Sequence, residues 1–108
     1  MARRAAAAGM QDVDGGAFLD AIAGTSVDMG YAQIKGRMML EGAYPASMPL
    51  AHAAKDARFA AEAAERHGLA HAVTRAAAEL LERGASRGDA AADMAAVFGA
   101  AAERRARR

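Results

Sequence analysis

The stretch Met38-Met39-Leu40-Glu41-Gly42-Ala43-Tyr44-Pro45-Ala46-Ser47-Met48-Pro49-Leu50-Ala51-His52-Ala53-Ala54-Lys55-Asp56 decides how this chain folds. It opens on an apolar run that closes at Gly42, where a helix end can take positive φ without a Cβ clash. Two prolines and the glycine make the middle an ordered loop. Pro49 suits the first turn of a following helix, because its missing N–H has no intrahelical partner there. Ser47 is a plausible cap. Beyond Leu50 the residues are mostly alanine, interrupted by Lys55 and Asp56. The pattern is helix, loop, helix, without the period-two alternation of a strand.

The same punctuation extends in both directions. Gly9, Gly24, Gly42, Gly68 and Gly84 each follow a helix-compatible segment and are predicted C-terminal caps. The first segment, 2–8, is too short to be a stable helix alone and reads as the tail of a longer one. The second starts after Asp14, a good N-cap, and its spacing turns Phe18, Leu19 and Ile22 toward a core. The third is expected to begin at Thr25 or Ser26, with Asp28 in its first turn, and carries Met29, Ile34, Met38 and Met39. The fourth covers 50–67. Arg58, Glu62 and Arg66 can pair along its outer face, while Ala53, Ala57, Ala60, Ala61 and Ala64 form a smooth packing face. The fifth spans 72–83 with Val73, Ala77, Leu80 and Leu81 inward. The sixth starts near Asp89 and carries Met94, Val97 and Phe98. These spacings predict an all-α fold, a compact bundle of five to six short helices. They predict a single helical domain over 1–108: the tail of a longer helix at 1–9, which the family resemblance given below makes a truncated interdomain helix, the core at 15–103 and a basic tail at 104–108.

Composition agrees. Of 108 residues, 54% are hydrophobic and 5% aromatic. Alanine, the strongest helix former, makes up about a third. With no cysteine there is no disulfide framework and no thiolate metal site. A net charge of +1 is too balanced for a dedicated nucleic-acid binder. No apolar run approaches the roughly 20 residues of a membrane span. The opening Met1-Ala2-Arg3-Arg4 and its alanines imitate a signal peptide, but the apolar stretch is too short, so a cytoplasmic protein is expected. Alanine packing buries little area, at about 25 cal/mol per Å². A partner surface is therefore expected, a homodimer or higher homo-oligomer first.

Several motifs read as ordinary helix chemistry. Gly15-Gly16 lacks the preceding strand and the G-x-G-x-x-G spacing of a phosphate loop, so it reads as a helix start. His52, His67 and His71 have no carboxylate placed to complete a zinc site, and no metal is expected. Arg104-Arg105-Ala106-Arg107-Arg108 reads as a solvated helix end without interleaved aromatics. Ser26, Ser47 and Ser86 have no histidine at a recognisable triad spacing. Lys55 and Asp56 are helix neighbours that do not face each other; alone, they read as an exposed pair.

In context they carry more. The chain from Gly24 to Phe98 resembles the C-terminal helical domain of the β-hydroxyacid dehydrogenases, the 3-hydroxyisobutyrate dehydrogenase family, which is related to 6-phosphogluconate dehydrogenase. The similar residues are Gly24-Thr25-Ser26, Met38-Met39-Leu40-Glu41-Gly42-Ala43-Tyr44-Pro45, Met48-Pro49-Leu50, Lys55-Asp56 and Ala64-Glu65-Arg66-His67-Gly68. Gly88-Asp89 and Asp93-Met94-Ala95-Ala96-Val97 form a looser counterpart of a later family segment. Gly42 to Lys55-Asp56 matches the family spacing without a gap. The resemblance implies the 6-phosphogluconate dehydrogenase C-terminal domain-like fold. It implies an NAD or NADP cofactor reached by Lys55. It places Asp56 as a substrate-side or helix-anchoring group, and Met48 where the family has a phenylalanine near the substrate.

The sequence also departs from the family. No G-x-G-x-x-G occurs, and neither Lys35 nor Lys55 is followed by asparagine three residues on. The resemblance therefore implies the cofactor-contacting and dimerisation domain of an NAD(P)-dependent oxidoreductase acting on CH–OH groups. A separate nucleotide-binding domain and proton-transfer lysine would complete it, and the chain alone would be inactive. The alternative is a free-standing helical protein-interaction module without catalysis.

Overall fold

The computed structural model describes residues 14–103. The expectations for Gly9 and for segments 1–9 and 104–108 lie outside those residues. Among the described residues the fold is all-α, with five α-helices. The described chain divides into two units, residues 14–44 with 102–103, and Pro45–Ala101.

The first unit is built on α1 (Gly15–Ile22) and α2 (Gly30–Glu41). Asp14 caps α1, its Oδ1 accepting from the Gly16 amide at 3.0 Å. Leu19 is the buried residue of α1. It packs against Gly36 so closely that a Cβ there would lie 2.9 Å from either Leu19 methyl. Phe18, expected inward, is 57% exposed. It sits about 100° around the helix from Leu19, and the α1–α2 pair covers only the Leu19 side.

The helix expected at Thr25 or Ser26 begins instead at Gly30. Thr25 and Asp28 spend their side chains on the turn, as such residues do. Thr25 Oγ1 donates to the Ile22 carbonyl at 2.7 Å. Asp28 Oδ2 accepts from the Gly24 amide at 2.8 Å, and its Oδ1 accepts from Gln33 Nε2 at 3.0 Å. Those hydrogen bonds, the Gly24 amide first and Gln33 second, hold the Asp28 carboxyl below its ordinary pKa. α2 ends as the sequence predicts, at Gly42 with φ 69°.

The second unit contains α3 (Leu50–Arg66), α4 (Ala72–Gly84), a π-type turn (Ala85–Asp89), a 3₁₀ turn (Met94–Ala96) and α5 (Val97–Ala101). Its core is made of small residues and one leucine: Leu50, Ala53, Ala54, Ala61, Ala78, Ala95, Ala96 and Ala100. Alanine faces let helix backbones approach closely.

Gly84 is not the cap its position suggests. Its φ is −60°, it lies inside the helical run and it is buried. A Cβ there would sit 2.8 Å from Leu50 Cδ2, so this glycine serves close packing. The positive φ falls four residues later, at Gly88.

The inward stripe of α4 also differs from expectation. Ala78 is buried, Ala77 is exposed and Val73 is 84% exposed. The buried and half-buried positions are His71, Thr74, Arg75, Ala78, Leu81 and Glu82, with Leu80 beside them. Leu80 and Leu81 are half-buried as the spacing predicts, whereas Val73 and Ala77 face out, because Ala76-Ala77-Ala78 does not mark which alanine faces in.

Arg58 does not pair along its own helix. It reaches Glu82 on α4 with two hydrogen bonds, Nε to Oε2 at 2.9 Å and Nη2 to Oε1 at 2.6 Å. The last helix starts later than Asp89, since that residue instead faces Arg87, Nε to Oδ2 at 3.7 Å. Pro49 is the N-cap of α3 rather than its first residue, and Ser47 does not cap α3. Among the described residues no helix is long and apolar enough to cross a membrane.

Candidate functional site: the loop and first turns of α3

Met48, Lys55 and Asp56 all belong to the second unit, at the N-terminal end of α3. Met48 precedes the helix by two residues; Lys55 and Asp56 lie in its second turn. Lys55 and Asp56 are exposed, and Met48 keeps 38% exposure.

The loop before α3 is fastened by a second segment, residues 90–95. The Leu50 amide donates to the Ala92 carbonyl at 2.8 Å and the Ala51 amide to the Ala90 carbonyl at 2.9 Å. The Met94 amide donates to the Met48 carbonyl at 2.8 Å. Asp93, fully buried, faces the loop with its carboxylate. Its Oδ1 accepts from the Ser47 amide (3.0 Å), the Ser47 hydroxyl (3.3 Å) and the Met48 amide (3.2 Å). Its Oδ2 accepts from the Ala95 amide at 2.9 Å, capping the 3₁₀ turn.

This arrangement decides which chemistry the helix end can offer an anion. A helix N-terminus binds phosphate through its free amides. Here the Leu50 and Ala51 amides are committed to carbonyls of residues 92 and 90, and those of His52 and Ala53 to the Pro49 carbonyl. Recognition of a negative ligand at this end therefore falls to side chains. Arg58 is held by Glu82, which raises its pKa through the side-chain hydrogen bond. Lys55 is exposed, with its Nζ 5.9 Å from the centroid of the Phe59 ring one turn on. A cation on a flexible stem beside an exposed aromatic face fits a ligand with phosphates and aromatic rings.

Other sequence candidates resolve differently. Gly15-Gly16 opens α1. His67 is exposed at the end of α3. The His71 Nε2 accepts from Arg75 Nη2 at 2.7 Å, and its Nδ1 lies 3.1 Å from the Leu69 carbonyl. Arg75 Nη2 also reaches Glu65 Oε1 at 3.2 Å. Among the described residues no group of three histidine, aspartate or glutamate side chains is set to hold a metal.

A family model described as NAD-binding of NADP-dependent 3-hydroxyisobutyrate dehydrogenase matches residues 3–101. The chain belongs to this family. A comparison with curated proteins gives no match. The segment matched by this NAD-binding family covers the second unit, residues 14–44 of the first, and every residue of the candidate α3 site. Its ligand class is a nicotinamide dinucleotide.

Sequence reasoning missed two residues here. Phe59 is an aromatic four residues after Lys55, a spacing that joins side chains on one helix face. Asp93 stands just before a short helical run, the ordinary signal of a cap, but nothing in that signal announces its reach to Ser47 and Met48.

Proposed function

We propose that this chain is the cofactor-contacting helical domain of an NAD(P)-dependent oxidoreductase acting on CH–OH groups, a 3-hydroxyacid dehydrogenase or semialdehyde reductase. The observation that carries this reading is Lys55, exposed on α3 of a chain matched by the NAD-binding family over residues 3–101. The dinucleotide supplies the hydride chemistry when bound. Lys55 binds its anionic or ribose-bearing part. Asp56, one position around the helix, and Met48, on the fastened loop, border the substrate.

The sequence holds neither the dinucleotide fingerprint nor a K-x-x-N element. On this reading a nucleotide-binding domain supplies the dinucleotide fold, the interdomain helix supplies the proton-transfer lysine, and these 108 residues do not catalyse by themselves. They also supply a self-association surface. Tyr31 and Ile34 on α2, with Val27 before it, are more than half exposed. Large exposed apolar side chains of this kind mark an interface, and a symmetric dimer is the simplest occupant.

Titration of the chain with NADPH and NADH, followed by NMR, tests the reading. Perturbation centred on Lys55, lost in Lys55→Ala, supports it and ranks the two cofactors. No perturbation at Lys55 by either one overturns it and leaves a protein-interaction module, whose partner is then sought on the exposed apolar faces.

A further inference from the structure

The geometry points to Asp93 as a positioning residue: it presets the loop 47–49, so that Met48 stands as a fixed apolar contact at the start of the helix that carries Lys55. The inference rests on the reading of the α3 end as cofactor-contacting, and adds a residue that reading does not use.

Asp93 is 0% exposed and is one of the two largest fully buried side chains, with Leu50. A buried carboxylate is costly unless its oxygens are hydrogen-bonded. Asp93 meets that requirement through two separate tasks. Oδ2 holds the Ala95 amide, two residues on, which is an ordinary local cap. Oδ1 receives three donors from Ser47 and Met48, more than forty residues earlier in the chain. A cap alone needs only the first task.

The consequence is concentrated on Met48. Its amide is held by Asp93 Oδ1 and its carbonyl by the Met94 amide, so both backbone polar groups are fixed. Its side chain nevertheless remains 38% exposed. The backbone is immobilised while the flexible thioether stays at the surface, as a preorganised apolar contact requires. The same segment sets the start of α3, because the Ala92 and Ala90 carbonyls take the Leu50 and Ala51 amides. The segment 90–95 therefore fixes both the Met48 loop, through Asp93, and the origin of the helix that carries Lys55, through its carbonyls.

The two tasks separate chemically. Asp93→Ser keeps a good N-cap, since a serine hydroxyl reaches the Ala95 amide, but it is too short to hold Ser47 and Met48. The experiment uses the full chain with methionine methyls labelled, amide exchange by NMR, and NADPH as the probe. In the native chain we expect slow exchange at the Met48 amide and an NADPH response at both the Met48 methyl and Lys55. In Asp93→Ser the Met48 amide should exchange at least about tenfold faster, a loss of protection on the order of one hydrogen bond to a charged group. Ala95 should stay protected, and NADPH should still reach Lys55 but no longer shift the Met48 methyl.

Unchanged Met48 exchange, or a native NADPH response of Met48 in Asp93→Ser, overturns the inference. So does a native chain in which Lys55 responds to NADPH and Met48 does not; that result leaves the cofactor reading standing. If neither responds in the native chain, the cofactor reading fails and this inference with it. Should Asp93→Ser not fold by circular dichroism, the native-chain measurements decide, together with Ser47→Ala. That variant removes the hydroxyl contact at 3.3 Å while keeping the Asp93 contacts to the two amides, and is expected to raise Met48 exchange less than threefold; a tenfold rise would show that the Ser47 hydroxyl, not the Asp93 clamp on the amides, holds the loop, and would overturn the inference.

Discussion

The Arg58 guanidinium and the Glu82 carboxylate form a two-point contact between α3 and α4, at 2.9 Å and 2.6 Å. The paired geometry suits arginine and no other cation. The Arg58 hydrogen bond holds the Glu82 carboxyl below its ordinary 4.5. A lowered folded pKa means the ionised form is favoured in the native state. Its contribution is complete above the unfolded value and is lost as pH falls through the lower folded value. Asp28, lowered mainly by the Gly24 amide, acts in the same direction from 3.8. Thermal melts should therefore show Tm falling on the acid side, below about pH 4.5. Glu82→Gln should lower Tm at neutral pH and flatten that acid limb. Equal acid limbs in both proteins would contradict the assignment.

The contact of Leu50 with Gly84 predicts a coupled pair. Leu50 is fully buried, and a Cβ on Gly84 would meet its Cδ2 at 2.8 Å. Leu50→Ala should cost about 2–5 kcal/mol through lost burial and the cavity left behind. Gly84→Ala should cost about 1–3 kcal/mol through overpacking. The double variant should be less destabilised than the sum, because the added methyl enters the space the leucine vacates. Chemical denaturation of the four proteins measures this, and strict additivity would refute it.

These contacts show where the sequence was readable. Glycine at a helix end with positive φ carries a local signal, so Gly24, Gly42 and Gly68 were recognisable. Gly84 carries the same letter for a tertiary reason, the approach of Leu50, which no local pattern encodes. Helix existence and the order of elements follow from propensity and from Pro45 and Pro49. Helix phase does not follow where alanines run together, and Val73 and Ala77 were turned the wrong way for that reason. Arg58 had a carboxylate four residues away at Glu62 and took another on α4. At the candidate site, the family spacing from Gly42 to Lys55-Asp56 was legible. The Asp93 clamp was not, since its partners are distant in sequence and meet only after folding.

The cap of α1 gives a local test. Asp14 Oδ1 accepts from the Gly16 amide at 3.0 Å, and the two residues that follow Asp14 are glycines, which favour helix weakly. Asp14→Ala should destabilise α1 by about 0.5–2 kcal/mol, whereas Asp14→Ser should largely retain the helix. Amide exchange at Phe18, whose N–H donates to the Asp14 carbonyl at 3.1 Å, reads the effect. Unaltered protection in Asp14→Ala would mean that Leu19 packing alone holds the helix.

If the proposed reading holds, Lys55 and Phe59 should make separable contributions to dinucleotide binding. The ring lies under the ammonium at 5.9 Å and steadies it by cation–π attraction, a contact worth about 0.5–1 kcal/mol at exposed sites. On the proposed reading the charge itself meets the ligand. Lys55→Ala should weaken NADPH binding about tenfold, the loss of one hydrogen bond to a charged group. It should also flatten the salt dependence, because an exposed charge pair is what salt screens. Phe59→Ala should weaken binding only about two- to fivefold and leave the salt dependence intact, since the ammonium remains. Phe59→Tyr should bind as the native chain does. A Phe59→Ala loss as large as that of Lys55→Ala, with salt dependence unchanged, would mean that the ring stacks on the ligand itself and that the lysine is secondary.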